Sequence, residues 1–199
     1  YKLQVKRFDS IDDPVGKNLK TYHFSIDKHA PSMPRIIGIE HNEFYQEDKT
    51  IRIEGDEGKI YYSLIEYDDD SSETNNREYS LYEQPISVEA EPGTIKTYSL
   101  TAFAEDTSGN QSKITPETII TIDKKIFYVS NRAGNDYYEG TRKYPYKTVR
   151  KALQEVKNSY RKTVYVSDDK QTINDPLILN GEITIVGGFN PLTWLKDGY

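Results

Sequence analysis

Tyr98-Ser99-Leu100-Thr101-Ala102-Phe103-Ala104 runs into Asp106-Thr107-Ser108-Gly109-Asn110 and then into Thr118-Ile119-Ile120-Thr121-Ile122-Asp123-Lys124. The first segment alternates. Tyr98, Leu100, Ala102 and Ala104 share one face, which suits a strand laid against a core. The middle segment is a polar turn around Gly109, and the last is a second strand, giving a β-hairpin pattern. The same pattern stands at the start of the chain. Tyr1-Lys2-Leu3-Gln4-Val5 and Tyr22-His23-Phe24-Ser25-Ile26-Asp27-Lys28 flank a polar turn, offset by 96 to 97 residues.

That period matches a β-sandwich of about 100 residues. Residues 1–28 are therefore expected to be the last two strands of a preceding module, and 29–124 a complete one. Between them, His29-Ala30-Pro31-Ser32-Met33-Pro34 reads as a stiff, extended linker. Seven short segments follow, each bounded by turn residues: Arg35–Ile39, Lys49–Ile53, Lys59–Ile65, Tyr79–Tyr82, Ile86–Val88, Tyr98–Ala104 and Glu117–Ile122. Seven is the strand number of a sandwich of this type.

A different pattern begins at 125. Ile126–Val129 reads as a strand. A glycine-punctuated polar loop leads to Thr148, a helix N-cap. Val149, Ala152, Leu153, Val156 and Tyr160 then recur on one helical stripe. Thr163–Val166, Pro176–Leu179 and Ile183–Val186 return to strand, with Asn180-Gly181 as a tight turn.

Composition supports thin β-layers. Leu, Ile, Val and Phe make up about 23% of the 199 residues, close to the level of about 20% at which a charged chain stays unfolded. Seventeen tyrosines add large apolar area that keeps one polar end wet. The net charge of -6 divides into -10 for residues 1–124 and +4 for 125–199, a change of sign that marks a change of domain. An acidic chain does not suggest a nucleic-acid partner. No apolar run approaches the roughly 20 residues of a membrane-spanning helix. With no Cys, disulfides and thiolate chemistry are absent. Tyr1 is not an initiator Met, so the chain reads as a segment of something longer.

Two resemblances sharpen this reading. Lys59-Ile60-Tyr61-Tyr62-Ser63-Leu64, Tyr82-Glu83-Gln84-Pro85-Ile86, Tyr98–Ala104 and Asp106–Asn110 together resemble the immunoglobulin-like or fibronectin-III-like modules of bacterial surface proteins, chitobiase C-terminal-type modules above all. A longer acidic loop at 68–76 replaces the short Asp-Gly turn usual in that family. Tyr128-Val129-Ser130, Gly134-Asn135-Asp136, Gly140-Thr141, Pro145-Tyr146, Thr148-Val149, Ala152-Leu153, Val164-Tyr165-Val166 and Ile183–Phe189 resemble the start of right-handed parallel β-helix proteins of the pectate-lyase-like superfamily. The resemblance implies that residues 125–199 form the N-terminal cap and first turns of such a helix, with one amphipathic helix plugging its end. The fold expected is mainly β: an immunoglobulin-like β-sandwich plus the start of a right-handed parallel β-helix.

The two resemblances together imply an extracytoplasmic protein, in the periplasm, at the cell surface or secreted. The function expected is that of a non-catalytic spacer presenting a β-helix for binding or adhesion. The alternatives are accessory modules of a polysaccharide-degrading lyase or hydrolase, whose active site lies in downstream turns, or a structural assembly subunit. No spacing of His, Asp, Glu or Ser marks a triad or a paired-carboxylate site, and no cofactor motif is present. Partners expected are a glycan or a surface protein, and neighbouring modules of the same chain. Exposed aromatics can stack on sugar rings. Tyr61 and Tyr62 are adjacent in a strand and point to opposite faces, one to the core and one to solvent. Tyr62, Tyr67, Tyr138 and Trp194 are the candidate sugar-binding residues, against the alternative that tyrosine fills the core. Asp68, Asp69 and Asp70 are weak Ca²⁺ candidates, lacking the alternation and glycine of a calcium loop. Arg150, Lys151, Lys157, Arg161 and Lys162 form a basic helix surface, either solvated or docked on the acidic sandwich.

Overall fold

The computed structural model describes residues 2–6, 19–23, 26–67, 77–171, 173, 176, 179 and 181–196. The chain is mainly β, with one helix among the described residues. β1 (Lys2–Lys6) and β2 (Leu19–His23) pair antiparallel, Lys2 opposite His23. The segment 29–34 is not a free linker. Pro31 and Pro34 are buried, and Ser32 N donates to the Asp56 carboxylate.

Eight strands then form two sheets that share one core. β3 (Arg35–Ile37), β5 (Lys49–Glu54) and β8 (Ile86–Val88) make a three-stranded antiparallel sheet in the order β3-β5-β8. β4 (Glu43–Tyr45), β6 (Lys59–Tyr67), β7 (Ser80–Leu81), β9 (Ile95–Glu105) and β10 (Thr118–Asp123) make the other, in the order β4-β10-β9-β6-β7. Period-two alternation places the core. Ile51 and Ile53 of β5 are buried, whereas Thr50, Arg52 and Glu54 between and beside them are exposed. These side chains meet Val88, Tyr98, Leu100, Ala102, Ile120 and Ile122 in one cluster. The core face read from the sequence, Tyr98, Leu100, Ala102 and Ala104, is buried.

Two features differ from the sequence reading. β4 was not expected. It pairs parallel with β10, Phe44 opposite Thr121, and covers what would be a bare sheet edge. β9 is buried on its second face as well, because residues 77–79 lie across it. Tyr79 Oη lies 3.2 Å from Thr101 Oγ1, and Phe103 stacks on Tyr61 at 5.3 Å. Arg77 donates to Ser99 Oγ at 2.9 Å and pairs with Glu117. The Ser99 hydroxyl, then Tyr67 and Arg77, hold the Glu117 carboxyl below its usual range.

The remaining chain forms a separate sheet. β11 (Ile126–Val129), β12 (Thr163–Ser167) and β13 (Thr184–Phe189) are parallel and stacked in that order. Phe127 aligns with Val164 and then Ile185, and Tyr128 with Tyr165 and then Val186. Parallel strands need a crossover, and the first carries α1 (Val149–Val156). Thr148 caps α1, its hydroxyl accepting from Lys151 N. Asp136 accepts from Thr148 Oγ1 and from the backbone N–H of Lys147 and Thr148, which fixes the cap. Val149, Ala152, Leu153 and Val156 pack on Phe127, Val129, Val164 and Val166. The helix stops at Val156, so Tyr160 of the expected stripe lies beyond it and is 49% exposed. Gly134 and Gly140 are required by Tyr146. A Cβ on Gly134 would sit 2.2 Å from the Tyr146 carbonyl oxygen, and one on Gly140 2.2 Å from the Tyr146 ring.

At the ends of the strands, Asp169 joins β11 to β12. Its carboxylate accepts from Ser130 Oγ, Ser167 Oγ, Asn131 N and Arg132 N. Burial opposes its charge, but these four donors outweigh that and hold its pKa low.

The junction between the two-sheet unit and the parallel sheet is two residues long. Asp123 ends β10 and is fully buried. Its Oδ1 accepts from Lys125 N at 3.0 Å and Ile126 N at 3.1 Å, and Oδ2 accepts from Tyr128 Oη at 2.8 Å. Lys124 is held too. Its N–H donates to Thr94 O, its carbonyl accepts from Gly93 N, and its ammonium pairs with Asp48 at 2.6 Å. Burial raises the Asp123 carboxyl despite its three donors.

A carboxyl raised in the fold binds its proton more tightly there than in the unfolded chain. Its favourable contribution is therefore present below about pH 4, the ordinary Asp value, and is lost as pH rises through the folded value. Asp123→Asn keeps the two accepting bonds and donates an amide N–H to Tyr128. It is expected to match or exceed the wild type in urea unfolding at pH 7. The part of the downward slope of stability with pH above about pH 4 that Asp123 causes should be absent from Asp123→Asn and should appear in the wild-type-minus-variant difference. Asp123→Ala leaves the buried Ile126 N–H and Tyr128 hydroxyl and the part-buried Lys125 N–H unmet and should cost about 3 kcal/mol.

Candidate functional site

The four aromatic candidates do not come together. Tyr62 packs against the two-sheet core, edge-on to Tyr82 at 6.2 Å. Tyr67 is 42% exposed at the end of β6, and its hydroxyl donates to Glu117. Trp194 is only 6% exposed. Its ring meets Tyr128 at 4.8 Å, and its Nε1 donates to Arg142 O at 3.0 Å. Both ring and N–H are thus committed to the interior of the second unit. Tyr138 is 40% exposed and lies edge-on to Tyr144 at 5.6 Å. Asp68, Asp69 and Asp70 fall outside the described residues. Among the described residues, no cluster of three His, Asp or Glu side chains could hold a metal ion.

Two of these candidates border concavities: Tyr67 lines one of about 740 Å³ with Glu66, Gly93, Lys96 and Lys125, and Tyr138 contacts Tyr144, which lines another. A groove of about 580 Å³ lies where β4 faces the 139–144 loop, between the two units. The volume is within the range of about 300–1,000 Å³ typical of small-molecule sites. One wall is β4 and its continuation, with Glu43, Tyr45 and Gln46. The other is Glu139, Lys143 and Tyr144, with Arg161 also lining the groove.

Local chemistry fixes both walls. Tyr45 leans on the core, its hydroxyl accepts from Glu40 N at 2.8 Å, and the Lys49 ammonium lies 4.8 Å over its ring. Thr141 accepts from Tyr144 N through its hydroxyl and donates its own N–H to the Tyr144 carbonyl, closing the loop that presents Tyr144. Behind that loop the Tyr146 ring is packed, and burial pushes its hydroxyl up to about 12.

The walls are clamped by charge and aromatic contacts. The Arg142 guanidinium lies 3.9 Å over the Phe44 ring and also donates to Thr193 O. Lys143 approaches Glu43 at 4.0 Å. Arg142 and Lys143 thus meet the acidic unit, whereas the Arg161 guanidinium lies 5.0 Å over Phe127 of its own unit. On α1 itself, Lys151 is engaged by Glu155 one turn on, at 2.5 Å.

Within the groove the charges nearly balance: Glu40, Glu43, Glu47 and Glu139 against Lys49, Lys143 and Arg161. Lys49 holds the Glu47 carboxyl below its usual range, first by a hydrogen bond and then by its charge. That is the opposite of what a general acid needs. Gln46 Nε2 is shielded from solvent and has no hydrogen-bond partner among the described residues.

Sequence reasoning missed Phe44, Tyr45 and Gln46. The adjacent aromatics between charged residues were the available signal, but three residues are too few to show alternation. Comparison with known proteins gives no family: no protein-family model matches the chain, and a search of the curated proteins finds no relative.

Trp194 is the single tryptophan, so its emission reports on the clamp. Native emission should be blue-shifted, as for a buried indole. Arg142→Ala should shift it to the red and lower stability by about 1–2 kcal/mol. Unchanged emission and unfolding midpoint would show that Arg142 does not brace this end of the groove.

Proposed function

We propose that the chain is a non-catalytic segment of a modular extracytoplasmic protein. In this reading an immunoglobulin-like sandwich, residues 29–124, acts as a rigid spacer. It holds out the opening coils of a right-handed parallel β-helix, residues 125–199, for binding or adhesion. Residues 1–28 are the end of a preceding module of the same kind.

The observation that carries the reading is the junction. Flexible linkers between modules are polar and make few contacts. Here Asp123 is buried and accepts three hydrogen bonds, Lys124 is held through its N–H, its carbonyl and its ammonium, and Arg142 lies over Phe44. A spacer that only joined two independent units would not need a buried carboxylate at the joint. The in-register parallel ladder β11-β12-β13, with Asp169 tying two successive strand ends, favours the coil interpretation of the second unit.

Backbone ¹⁵N relaxation on the 199-residue chain tests this. Residues 35–67 and 77–123 should share one rotational correlation time and one diffusion tensor with 126–167. Separate correlation times for the two groups would overturn the spacer reading.

A further inference from the structure

The groove between the units has the chemistry of a saccharide site, and we propose that it binds a short neutral oligosaccharide. The inference rests on reading the chain as a binding arm and names the ligand class and the place.

Three observations choose the occupant. The charges of the groove nearly cancel, and Glu47 with Lys49 and Glu43 with Lys143 are already paired. Neither a polyanion nor a polycation gains from such a surface, whereas hydroxyl groups can accept from ammonium and guanidinium groups and donate to carboxylates in alternation. Tyr144 is 46% exposed, meets Tyr138 in a T-shaped contact at 5.6 Å and carries the Lys143 ammonium 6.0 Å over one face, which leaves the other face as a platform. Such a ring can cover the C–H face of a pyranose, as aromatic anchors do in ligand sites. The shielded Nε2 of Gln46 lacks an acceptor among the described residues. Leaving a shielded donor unmet is unfavourable; Gln46 lines the groove, and a turn of its carboxamide toward the groove would let it donate to a ligand hydroxyl or ring oxygen. Apolar faces alternating with dense donors and acceptors describe a sugar better than a lipid or an apolar peptide.

The test is isothermal titration of the 199-residue chain with neutral gluco-, manno-, galacto- and xylo-hexaoses. A galacturonic acid hexamer and a tyrosine-free neutral peptide serve as charged and peptide comparators. At least one neutral hexaose should bind saturably, and more tightly than the uronate or the peptide. Tyr144→Ala should weaken it about tenfold, and Gln46→Leu should weaken it without lowering the unfolding midpoint. Tyr67→Ala, three strands away in the same sheet, should leave it unchanged. Absence of binding to every neutral hexaose, binding of the peptide or uronate alone, or binding insensitive to both Tyr144→Ala and Gln46→Leu would overturn the inference. If binding fails while a single correlation time persists, the saccharide site falls and the spacer reading stands.

Discussion

The buried carboxylate of Asp123 is the constraint from which the arrangement of this chain follows. A β-strand that ends in a charged residue normally delivers it to solvent. Here the strand ends under the first strand of the next sheet, and the carboxylate has no exposed surface. Burying it is tolerable only because two backbone N–H groups and the Tyr128 hydroxyl converge on it. Two of those donors, the Lys125 and Ile126 N–H groups, are local to the junction, and the third, the Tyr128 hydroxyl, comes from the first strand of the following sheet. Tyr128 in turn packs on Trp194, whose N–H reaches the Arg142 carbonyl. The Arg142 side chain returns to Phe44 on the first unit. A closed circuit of contacts therefore runs from β10 through β11 and the 190–196 turn back to β4.

The circuit explains why the groove exists. β4 is short and lies at the edge of its sheet, next to β10. Without the 139–144 loop opposite it, Tyr45 and Gln46 would face open solvent. With the loop held by Thr141 and braced by Tyr146, the two surfaces form facing walls. Opposite net charges of the two halves of the chain favour their approach, and Arg142 and Lys143 of the 139–144 loop make the contacts with β4.

Much of the fold was legible in the residues. Alternation from Tyr98 to Ala104 identifies the core face. Thr148 and the spacing of Val149, Ala152, Leu153 and Val156 identify a capped helix. These signals are local and periodic. Other features depend on what packs against a segment. Alternation says that one of Tyr61 and Tyr62 faces the core, but only the pairing of Tyr62 with Ala102 and Tyr61 with Phe103 decides which. Trp194 sits in a turn with a positive φ of 56°. A turn residue ordinarily reads as surface, and nothing local announces that its ring enters an aromatic core. β4 was invisible for a third reason: three residues flanked by charge carry no period, and the strand exists because β10 offers it an edge.

The central claim is that the Asp123 carboxylate is buried at a docked junction. A pH titration of its side-chain carboxyl ¹³C resonance, followed together with the Lys125 and Ile126 amides, tests it most directly. The account predicts a midpoint above the ordinary Asp value of about 3.9, with both amide protons shifting at that same midpoint. A midpoint at or below the ordinary value, or amides that do not sense the titration, would contradict it.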